Sequence, residues 1–289
     1  MLKLYSYGKI NLFLDIEGKL QNGYHLIKTV MQSIDLHDEI ALETIDENKI
    51  VIECSDLSIP VNEKNTCYKA ASIIKEMYNV KSGVSIKIKK IIPQEAGLAG
   101  GSSNSAAVIK GLNILWQLNI SEDTMLKIGL KIGADVPFCI LGGTYLAEGI
   151  GEKLTKLNNF LWDNILIIKP DFSMSTAFVY SSLTPENYNL YPDNNILNYI
   201  SDNEPHKAAL SASNVLEKEV EKFHPEINDI KNFMLQNKAV CSMMTGSGSA
   251  VFGLFETKEG LDDAYNKAIK IYPQVFKTKT SSVGVQICV

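Results

Sequence analysis

One stretch of the sequence decides how the rest is interpreted: Pro93-Gln94-Glu95-Ala96-Gly97-Leu98-Ala99-Gly100-Gly101-Ser102-Ser103-Asn104. Its glycines have access to positive φ angles that other residues avoid. Ser and Asn are favoured at helix N-termini, and apolar residues follow at helical spacing, so the stretch predicts a loop that leads into a helix over 102–118. The free N–H groups and positive dipole end of such a terminus favour a bound phosphate. The alternative is an ordinary tight turn before a helix.

This glycine loop matches neither of two common nucleotide-binding motifs. Gly-x-x-x-x-Gly-Lys-Ser/Thr occurs nowhere in the chain, which excludes a P-loop, and the loop contains no Gly-x-Gly-x-x-Gly. Two glycine clusters lie further along the chain. Gly142-Gly143 predicts a turn, and Gly246–Ser249 predicts either a hairpin turn or a second wall of small residues around an anion.

Composition narrows the function classes. The chain has 289 residues, enough for one large or two medium domains, and 45% hydrophobic with 21% charged residues is typical of a soluble globular protein. The net charge is −5 and no Lys/Arg block occurs, so we expect no nucleic-acid partner. The N-terminus lacks the pattern of a signal peptide and no apolar run reaches 18 residues, so we expect no membrane contact.

The five cysteines are widely spaced and odd in number, and no Cys-x-x-Cys pair occurs. This pattern predicts small buried side chains in a cytoplasmic protein, rather than disulfides or a zinc site. We assign no metal ligand from the sequence.

Alternation and helical spacing predict strands and helices in mixed order. The predicted strands are 2–7, 10–16, 26–36, 39–45, 50–54, 82–89, 144–148, 164–168, 239–244, 250–255, 275–280 and 283–288. The predicted helices are 65–78, 102–118, 122–132, 175–182, 206–222, 225–236 and 258–271. Hairpins in this order favour an α+β fold over a doubly wound sheet. The polar stretch 154–162 marks a predicted boundary between domains 1–156 and 157–289.

Two charged residues lie in apolar surroundings. Lys9 precedes the alternating apolar residues of the 10–16 strand, and Asp135 precedes Val136-Pro137-Phe138. A carboxylate in such a setting is either paired or takes part in chemistry. A helix cap is the alternative for Asp135, and an exposed edge position is the alternative for Lys9.

An aromatic pair, Tyr24-His25, follows the strong turn signal Asn22-Gly23. An exposed aromatic with an adjacent histidine can stack on a base and hydrogen-bond to it. Ordinary packing is the alternative.

Several segments together resemble one family. Pro93–Asn104 is similar to the glycine-serine loop of the GHMP kinases, the group of galactokinase and the homoserine, mevalonate and phosphomevalonate kinases. Gly8–Leu14, Asn22–His25, Gly133–Phe138 and Met244–Phe252 resemble one branch, whose substrate is 4-diphosphocytidyl-2-C-methyl-D-erythritol of the non-mevalonate isoprenoid pathway. The segments follow the family's order from residue 8 to residue 252, so the resemblance covers nearly the whole chain.

The resemblance implies a two-domain α+β GHMP kinase fold with the active-site cleft between the domains. It implies a kinase that uses ATP and Mg²⁺ to phosphorylate the 2-hydroxyl of this cytidyl diphosphate sugar alcohol. We expect a monomer or a weak homodimer. Another GHMP kinase and a non-catalytic nucleotide-binding protein are the alternatives.

The resemblance also implies roles for individual residues. Residues 93–103 would hold the ATP phosphates, and Asn65 would lie at the adenine. Asp135 would act as the base on the substrate hydroxyl, with Lys9 beside it. The substrate-binding residues would be Asn11, Tyr24, His25 and Tyr180. Tyr180 would be the second aromatic residue of a sandwich around the cytosine, and Phe178 is the alternative for that position.

The chain departs from the family's pattern at a few positions. Ala99 replaces a common glycine in the loop, which narrows its backbone freedom. Val215 replaces the Asp of an Asn-Asp-Leu-Glu motif, here Asn214–Glu217. Neither change removes an implied catalytic group.

Overall fold

The computed structural model describes residues 1–288, and a hairpin of two long strands forms its centre. β1 (Leu2–Lys19) and β2 (His25–Ile45) run antiparallel and are joined at the predicted Asn22-Gly23 turn. The prediction of four shorter strands in this region is wrong, because neither strand breaks.

The pairing of β1 with β2 instead shifts register where the breaks were predicted. Tyr7 lies opposite His37, whereas Lys9 lies opposite Ser33, so residues 34–36 form an insertion in β2. Extra residues of this kind bend a strand and increase its twist. Lys9 therefore lies at an irregular point of the sheet, where a side chain can be aimed away from the regular alternation.

Further strands build an eight-stranded sheet on this hairpin. Their bounds, numbered in chain order, are β3 (Ile50–Cys54), β4 (Gly83–Lys89), β5 (Thr144–Gly149), β6 (Lys153–Lys156), β8 (Ser213–Asn214) and β12 (Val285–Cys288). The order is β12-β1-β2-β4-β3, while β5 pairs with β2 and β6, and β8 pairs with β1.

Helices pack on this sheet through a shared apolar core. They are α1 (Thr66–Met77), α2 (Gly100–Leu115), α3 (Glu122–Ile132) and α4 (Val136–Leu141). Leu42 and Ile86 of the sheet belong to one buried cluster with Ile109 and Leu112 of α2. The sequence did not predict α4, because six residues are too few to display helical spacing.

The second half of the chain forms an antiparallel sheet in the order β11-β7-β10-β9. Its strands are β7 (Ile165–Lys169), β9 (Ala239–Met244), β10 (Val251–Phe255) and β11 (Gln274–Thr278). The helices are α5 (Thr176–Ser181), α6 (Ile196–Ser201), α7 (Pro205–Leu210), α8 (Val215–Glu221), α9 (Glu226–Gln236) and α10 (Lys258–Ala268), with a 3-10 turn at Pro185–Asn187.

The predicted single helix over 206–222 is wrong, because α7 ends at Leu210 and α8 begins at Val215. Between them Asn214 pairs with Leu14 of β1, and its side-chain oxygen accepts a hydrogen bond from the Leu216 N–H at 3.0 Å. Asn at this position caps a new helix instead of continuing the old one. The short elements α6 and β6 were also not predicted.

The two sheets meet through apolar side chains. Ile10 and Leu12 of β1 form one buried cluster with Ile167 of β7 and Phe252 of β10. Such an apolar interface favours a fixed arrangement of the two halves. The architecture confirms the predicted α+β class.

The domain division at 156/157 stays a prediction. β12 follows the second sheet in the chain but lies in the first one, beside β1. Within residues 1–288, no helix has the length and apolar content that a membrane crossing requires.

Candidate active site

The glycine loop leads directly into α2, although the helix begins two residues before the predicted start. Ala99, the residue before the helix, has φ 56° and ψ 30°, a left-handed conformation. No side chain among the described residues 1–288 caps the helix terminus. Since the first N–H groups of a helix have no partner within it, those at Gly100, Gly101 and Ser102 are available to a ligand.

The prediction that the run Ser102-Ser103-Asn104 caps the helix is wrong, because all three residues lie inside α2, where Ser103 and Asn104 are buried. The Ser103 hydroxyl donates to the Tyr7 carbonyl at 2.6 Å, and the Asn104 amide donates to Ser6 Oγ at 2.8 Å. These side chains attach α2 to β1.

A buried carboxylate anchors the base of the glycine loop. Asp38 is 0% exposed and its Oδ1 accepts hydrogen bonds from the backbone N–H groups of Ile91 (2.6 Å) and Ile92 (2.8 Å). Its Oδ2 accepts from the Asn104 amide at 2.7 Å and from the Lys90 ammonium. Asp38 therefore fixes both the segment that enters the loop and the helix that leaves it.

Lys9 is 4% exposed and contacts the loop directly. Its backbone N–H donates to the Leu98 carbonyl at 3.1 Å. Its ammonium donates to the Gly97 carbonyl and to Asn11 Oδ1, each at 2.6 Å. Burial lowers the pKa of Lys9, and the negative charge of Asp135 opposes this shift. The exposed edge position considered from sequence is thus wrong for Lys9.

Asp135 is half-buried at the start of α4. Its backbone is helical and its carboxylate makes no cap hydrogen bond, so the helix-cap alternative is wrong. A Cβ atom built on Gly133 would lie 3.9 Å from Ser102 Oγ, which brings the turn before Asp135 next to the start of α2.

Tyr24 and His25 differ in exposure. Tyr24 is 61% exposed, whereas His25 is 5% exposed, and the His25 Nε2 atom has no hydrogen-bond partner among the described residues. Burial and the positive charge of Lys19 lower the pKa of His25, so the ring is neutral near pH 7. A buried nitrogen without a partner is a candidate contact for a ligand.

Two tyrosine rings lie beside His25. The Tyr180 centroid is 5.5 Å from that of His25, and the Tyr188 centroid is 5.9 Å away. Burial and the nearby Asp135 charge raise the pKa of Tyr180. Phe178, its rival from sequence, packs on Phe223 with centroids 5.2 Å apart. The geometry therefore favours Tyr180.

One cavity of about 1080 Å³ joins these features. Its wall includes residues 93–102 of the predicted ATP site and Asn65, together with Lys9, Asn11, Tyr24, His25, Asp135 and Tyr180. Ser103 is the predicted site residue that is not part of this wall. The structure thus brings the predicted residues together, while their individual roles stay predictions.

Two of the predicted ATP-site side chains are engaged by the protein itself. Asn65 caps α1: its oxygen accepts from the Cys67 N–H at 2.8 Å, and its amide donates to the Pro60 carbonyl at 2.7 Å. The Gln94 amide donates to Asp56 and Ser58, each at 2.7 Å. Both side chains hold the 56–65 segment beside the loop.

Sequence reasoning missed other residues of the cavity wall, namely Lys19, Lys64, Thr66, Lys90 and Thr176. It also missed Asp38. The available signal was the position of this charged residue between two predicted apolar strands, 26–36 and 39–45. Gly246 and Ser247 line the cavity, which agrees with the alternative of a second wall of small residues.

Comparison with known proteins now identifies the family. GHMP kinases N terminal domain matches residues 65–143, and GHMP kinases C terminal matches residues 197–274. A 4-diphosphocytidyl-2-C-methyl-D-erythritol kinase from Clostridioides difficile (strain 630) is 47% identical over 289 residues, 99% of this chain and 98% of the relative. The chain belongs to the 4-diphosphocytidyl-2-C-methyl-D-erythritol kinases.

Further relatives agree with membership of this kinase family. The Caldicellulosiruptor bescii kinase of the same name is 47% identical over 258 residues, 89% of this chain and 90% of the relative. A crystal structure of 4-(cytidine 5'-diphospho)-2C-methyl-D-erythritol kinase matches with a TM-score of 0.82 and 28% identity, covering 96% of this chain and 99% of that one. The predicted family and its use of ATP are thus confirmed.

The fold is shared more widely than the sequence. A homoserine kinase from Cytophaga hutchinsonii matches with a TM-score of 0.81 and 18% identity, covering 99% of this chain and 97% of that one. This likeness concerns the fold alone. The two family models and the 28% identical kinase structure confirm the predicted GHMP kinase architecture.

Proposed function

We propose that this chain transfers the γ-phosphoryl group of ATP to the 2-hydroxyl of 4-diphosphocytidyl-2-C-methyl-D-erythritol, a step of the non-mevalonate isoprenoid pathway. One observation carries the proposal: a continuous cavity is lined by an uncapped helix terminus, a buried lysine, a carboxylate and an exposed tyrosine beside a buried histidine. A cavity of this size is large enough for more than one drug-sized molecule.

ATP would bind with its phosphates at the start of α2. The uncapped N–H groups there, the left-handed Ala99 and the absence of side-chain bulk at Gly100 and Gly101 fit an anion. The adenine would lie toward Asn65 and Thr66, which line the cavity beside the start of α2, where the Thr66 hydroxyl donates to the Gly101 carbonyl at 3.1 Å.

Mg²⁺ would neutralise charge on the β- and γ-phosphates, which is the chemistry that such a metal ion supplies in phosphoryl transfer. Within residues 1–288 no group of three or more His, Cys, Asp or Glu side chains has the arrangement of a metal site. We therefore propose that the phosphates, rather than a carboxylate cluster, provide most of its ligands.

Asp135 would act as the general base. Its carboxylate would accept the proton of the 2-hydroxyl while that oxygen forms a bond to the γ-phosphorus, and the bond from this phosphorus to the β–γ bridging oxygen breaks to release ADP. Lys9 would offset the negative charge on the transferring group. The ammonium has three N–H groups and two are used by Gly97 and Asn11, so one remains for the phosphoryl oxygen.

The cytidyl group would bind between Tyr24 and Tyr180, with His25 hydrogen-bonded to the base. The exposed ring of Tyr24 and the Nε2 atom of His25, which has no partner in the described part of the chain, support this proposal over another GHMP kinase substrate. A monomer or weak homodimer in the cytoplasm remains part of the proposal.

The deciding experiment is an ADP-release assay with ATP and the cytidyl alcohol. We expect turnover by the wild type, with homoserine and mevalonate inactive. In Asp135→Asn, turnover should fall at least about tenfold, since general-base catalysis contributes roughly 10²–10⁴ in rate, while ATP binding is retained. The exposed Asp163→Asn is the matched control. No turnover by the wild type, or near-wild-type turnover by Asp135→Asn, would contradict the function or the base, respectively.

Substrate specificity is tested at Tyr24. Base stacking contributes about 1–3 kcal/mol, so Tyr24→Ala should raise KM for the cytidyl substrate about 5- to 150-fold and leave KM for ATP unchanged. Tyr24→Phe retains the ring and should behave like the wild type. Equal effects of Tyr24→Ala on both KM values would argue against cytosine binding there.

A further inference from the structure

Thr245, in the turn between β9 and β10, contacts the same two oxygens as Lys9. It is fully buried, and the Gly97 carbonyl at 3.3 Å and Asn11 Oδ1 at 3.4 Å share the single proton that its hydroxyl donates. The hydroxyl oxygen also accepts a hydrogen bond from the Asn11 backbone N–H at 3.1 Å. The Lys9 ammonium donates to these two oxygens at 2.6 Å each. The hydroxyl and the ammonium therefore share one pair of acceptors.

We propose that Thr245 is a positioning residue for Lys9, and this inference rests on the function proposed above. The hydroxyl fixes the Asn11 amide and the Gly97 carbonyl, and these two oxygens orient the ammonium so that its third N–H points into the cavity. Thr245 acts through Lys9 and contacts no substrate.

The geometry gives a physical reason for such a role. A lysine side chain has several rotatable bonds and a symmetric ammonium, so burial alone does not fix the direction of each N–H. Two fixed acceptors at 2.6 Å determine that direction. Without the hydroxyl, both oxygens lose a shared partner and the ammonium gains freedom to turn.

The second domain holds Thr245 in place through its own hydrogen bonds. The buried Asn214 amide donates to the Met244 and Gly246 carbonyls, each at 2.8 Å, so both carbonyls that flank Thr245 are fixed. Glu217 accepts a hydrogen bond from the Met244 N–H at 2.7 Å. Asn214 and Glu217 are the first and last residues of the motif in which Val215 departs from the family's pattern. Both keep their hydrogen bonds to the turn despite that change.

The turn also packs directly against the glycine loop. A Cβ atom built on Gly97 would lie 2.0 Å from the Thr245 carbonyl oxygen, and one built on Gly246 would lie 3.2 Å from the Lys9 ammonium. In addition, the Ala250 N–H donates to the Ala96 carbonyl at 3.2 Å. The two loops therefore form one rigid frame around the lysine, and Thr245 is the side chain that connects them.

The test compares Thr245→Val with Thr245→Ser. Valine keeps the shape and removes the hydroxyl, so kcat should fall about tenfold or more, because small displacements of reacting groups are costly. KM for ATP and for the cytidyl alcohol should change less than about threefold, since no residue that is proposed to contact either substrate is replaced. Serine keeps the hydroxyl and should restore kcat to within about threefold of the wild type.

Thr280→Val is the matched control. Thr280 is also buried, and its hydroxyl exchanges hydrogen bonds with the Trp162 backbone, outside the cavity wall. We expect unchanged kcat for this variant, although its thermal stability falls as for Thr245→Val. Should Thr245→Val fail to fold, Asn214→Asp is the second test. This variant keeps the oxygen that caps α8 and removes the amide N–H groups that donate to the Met244 and Gly246 carbonyls. It should lower kcat without a comparable change in either KM.

The outcomes separate the two proposals. Turnover by the wild type with a selective loss of kcat in Thr245→Val and recovery in Thr245→Ser supports the positioning role. Turnover by the wild type with unchanged kcat in Thr245→Val, or an equal loss in both Thr245 variants, overturns it and leaves the kinase function intact. Absence of wild-type turnover overturns the proposed function, and the positioning role with it.

Discussion

At the scale of single residues, the loop tolerates a strained backbone where a ligand is proposed to bind. Ala99 adopts a left-handed conformation that costs a non-glycine residue roughly 1–2 kcal/mol. Strain of this kind persists only when surrounding contacts determine the conformation, and here Asp38, Lys9 and the 245–250 turn supply them. A glycine at this position would avoid the cost, because it has no Cβ atom.

The environment of His25 disfavours protonation of its ring. Its ring is buried beside Tyr180 and Tyr188, and its Nε2 atom has no hydrogen-bond partner within residues 1–288. Protonation would place a charge in this setting near Lys19, which explains the lowered pKa. A neutral ring can donate or accept one hydrogen bond to a base without a net charge.

The lowered pKa of His25 predicts a dependence of stability on pH. Below the ordinary histidine pKa of about 6.5, the unfolded chain binds a proton that the folded chain does not. The free energy of unfolding should therefore decrease as pH falls through 6.5 toward the lower folded pKa. Urea denaturation at pH 7.5 and 5.5 measures this change, which should be smaller in His25→Gln. Equal changes in both proteins would contradict the argument.

At the scale of elements, the loop and α2 depend on a buried ion pair. Asp38 accepts hydrogen bonds from the Ile91 and Ile92 N–H groups, from Asn104 and from Lys90, so one carboxylate joins β2, the end of β4 and α2. The Lys90 side chain is 7% exposed and would be left without its counter-charge if Asp38 were neutral. Breaking a buried pair in this way is more costly than losing a surface pair.

Asp38→Asn should lower the free energy of unfolding by about 3–5 kcal/mol, because it breaks a buried ion pair. It should also raise KM for ATP more than KM for the cytidyl substrate, because Asp38 anchors the loop that is proposed to bind the ATP phosphates. Denaturant unfolding and steady-state kinetics measure the two effects. Glu39→Gln is the control: Glu39 pairs with Lys89 at 2.7 Å on the exposed surface, and its loss should cost at most about 1 kcal/mol. Similar losses in both variants would contradict the anchoring role.

At the scale of the whole molecule, the site exists because two sheets meet. β1 contributes Lys9 and Asn11, the glycine loop contributes Gly97, and the 245–250 turn of the second sheet packs on both. The last strand, β12, then returns to the first sheet and pairs with Lys3–Ser6, in the same strand that carries Lys9. The end of the chain therefore supports the strand that bears the proposed reaction centre.

A chain that ends at Gly284 tests this support. It loses β12 and the buried Val285, whose burial is worth about 2 kcal/mol, so Tm should fall by roughly 4 °C or more. kcat should fall as well, because β1 becomes an edge strand. Gln286→Ala is the control, since it keeps the strand and removes the acceptor of the Tyr7 hydroxyl at 2.6 Å, which costs about 1 kcal/mol. Unchanged Tm and kcat after truncation would contradict this view of β12.

The local features of the fold and the family membership follow from the amino-acid sequence alone. Alternation and helical spacing predicted most strands and helices, because these patterns reflect which face of each element is buried. Motif resemblance predicted a set of site residues that, apart from Ser103, do line one cavity. The wrong predictions from the sequence were local as well. They are the breaks predicted in two strands that bulge instead, the single helix that is interrupted at Asn214, and the helix caps assigned to residues that are buried.

The contacts between residues that are far apart in the chain become visible in the three-dimensional fold. Lys9 meets Gly97 across 88 residues, Asn11 meets Thr245 across 234, and Asp38 meets Asn104 across 66. No local pattern encodes these meetings, because they depend on the register of β1 and β2 and on the packing of one sheet against another. Burial strengthens these contacts, because hydrogen bonds and charges interact more strongly in the protein interior than in water. The fold sets the distances over which they interact.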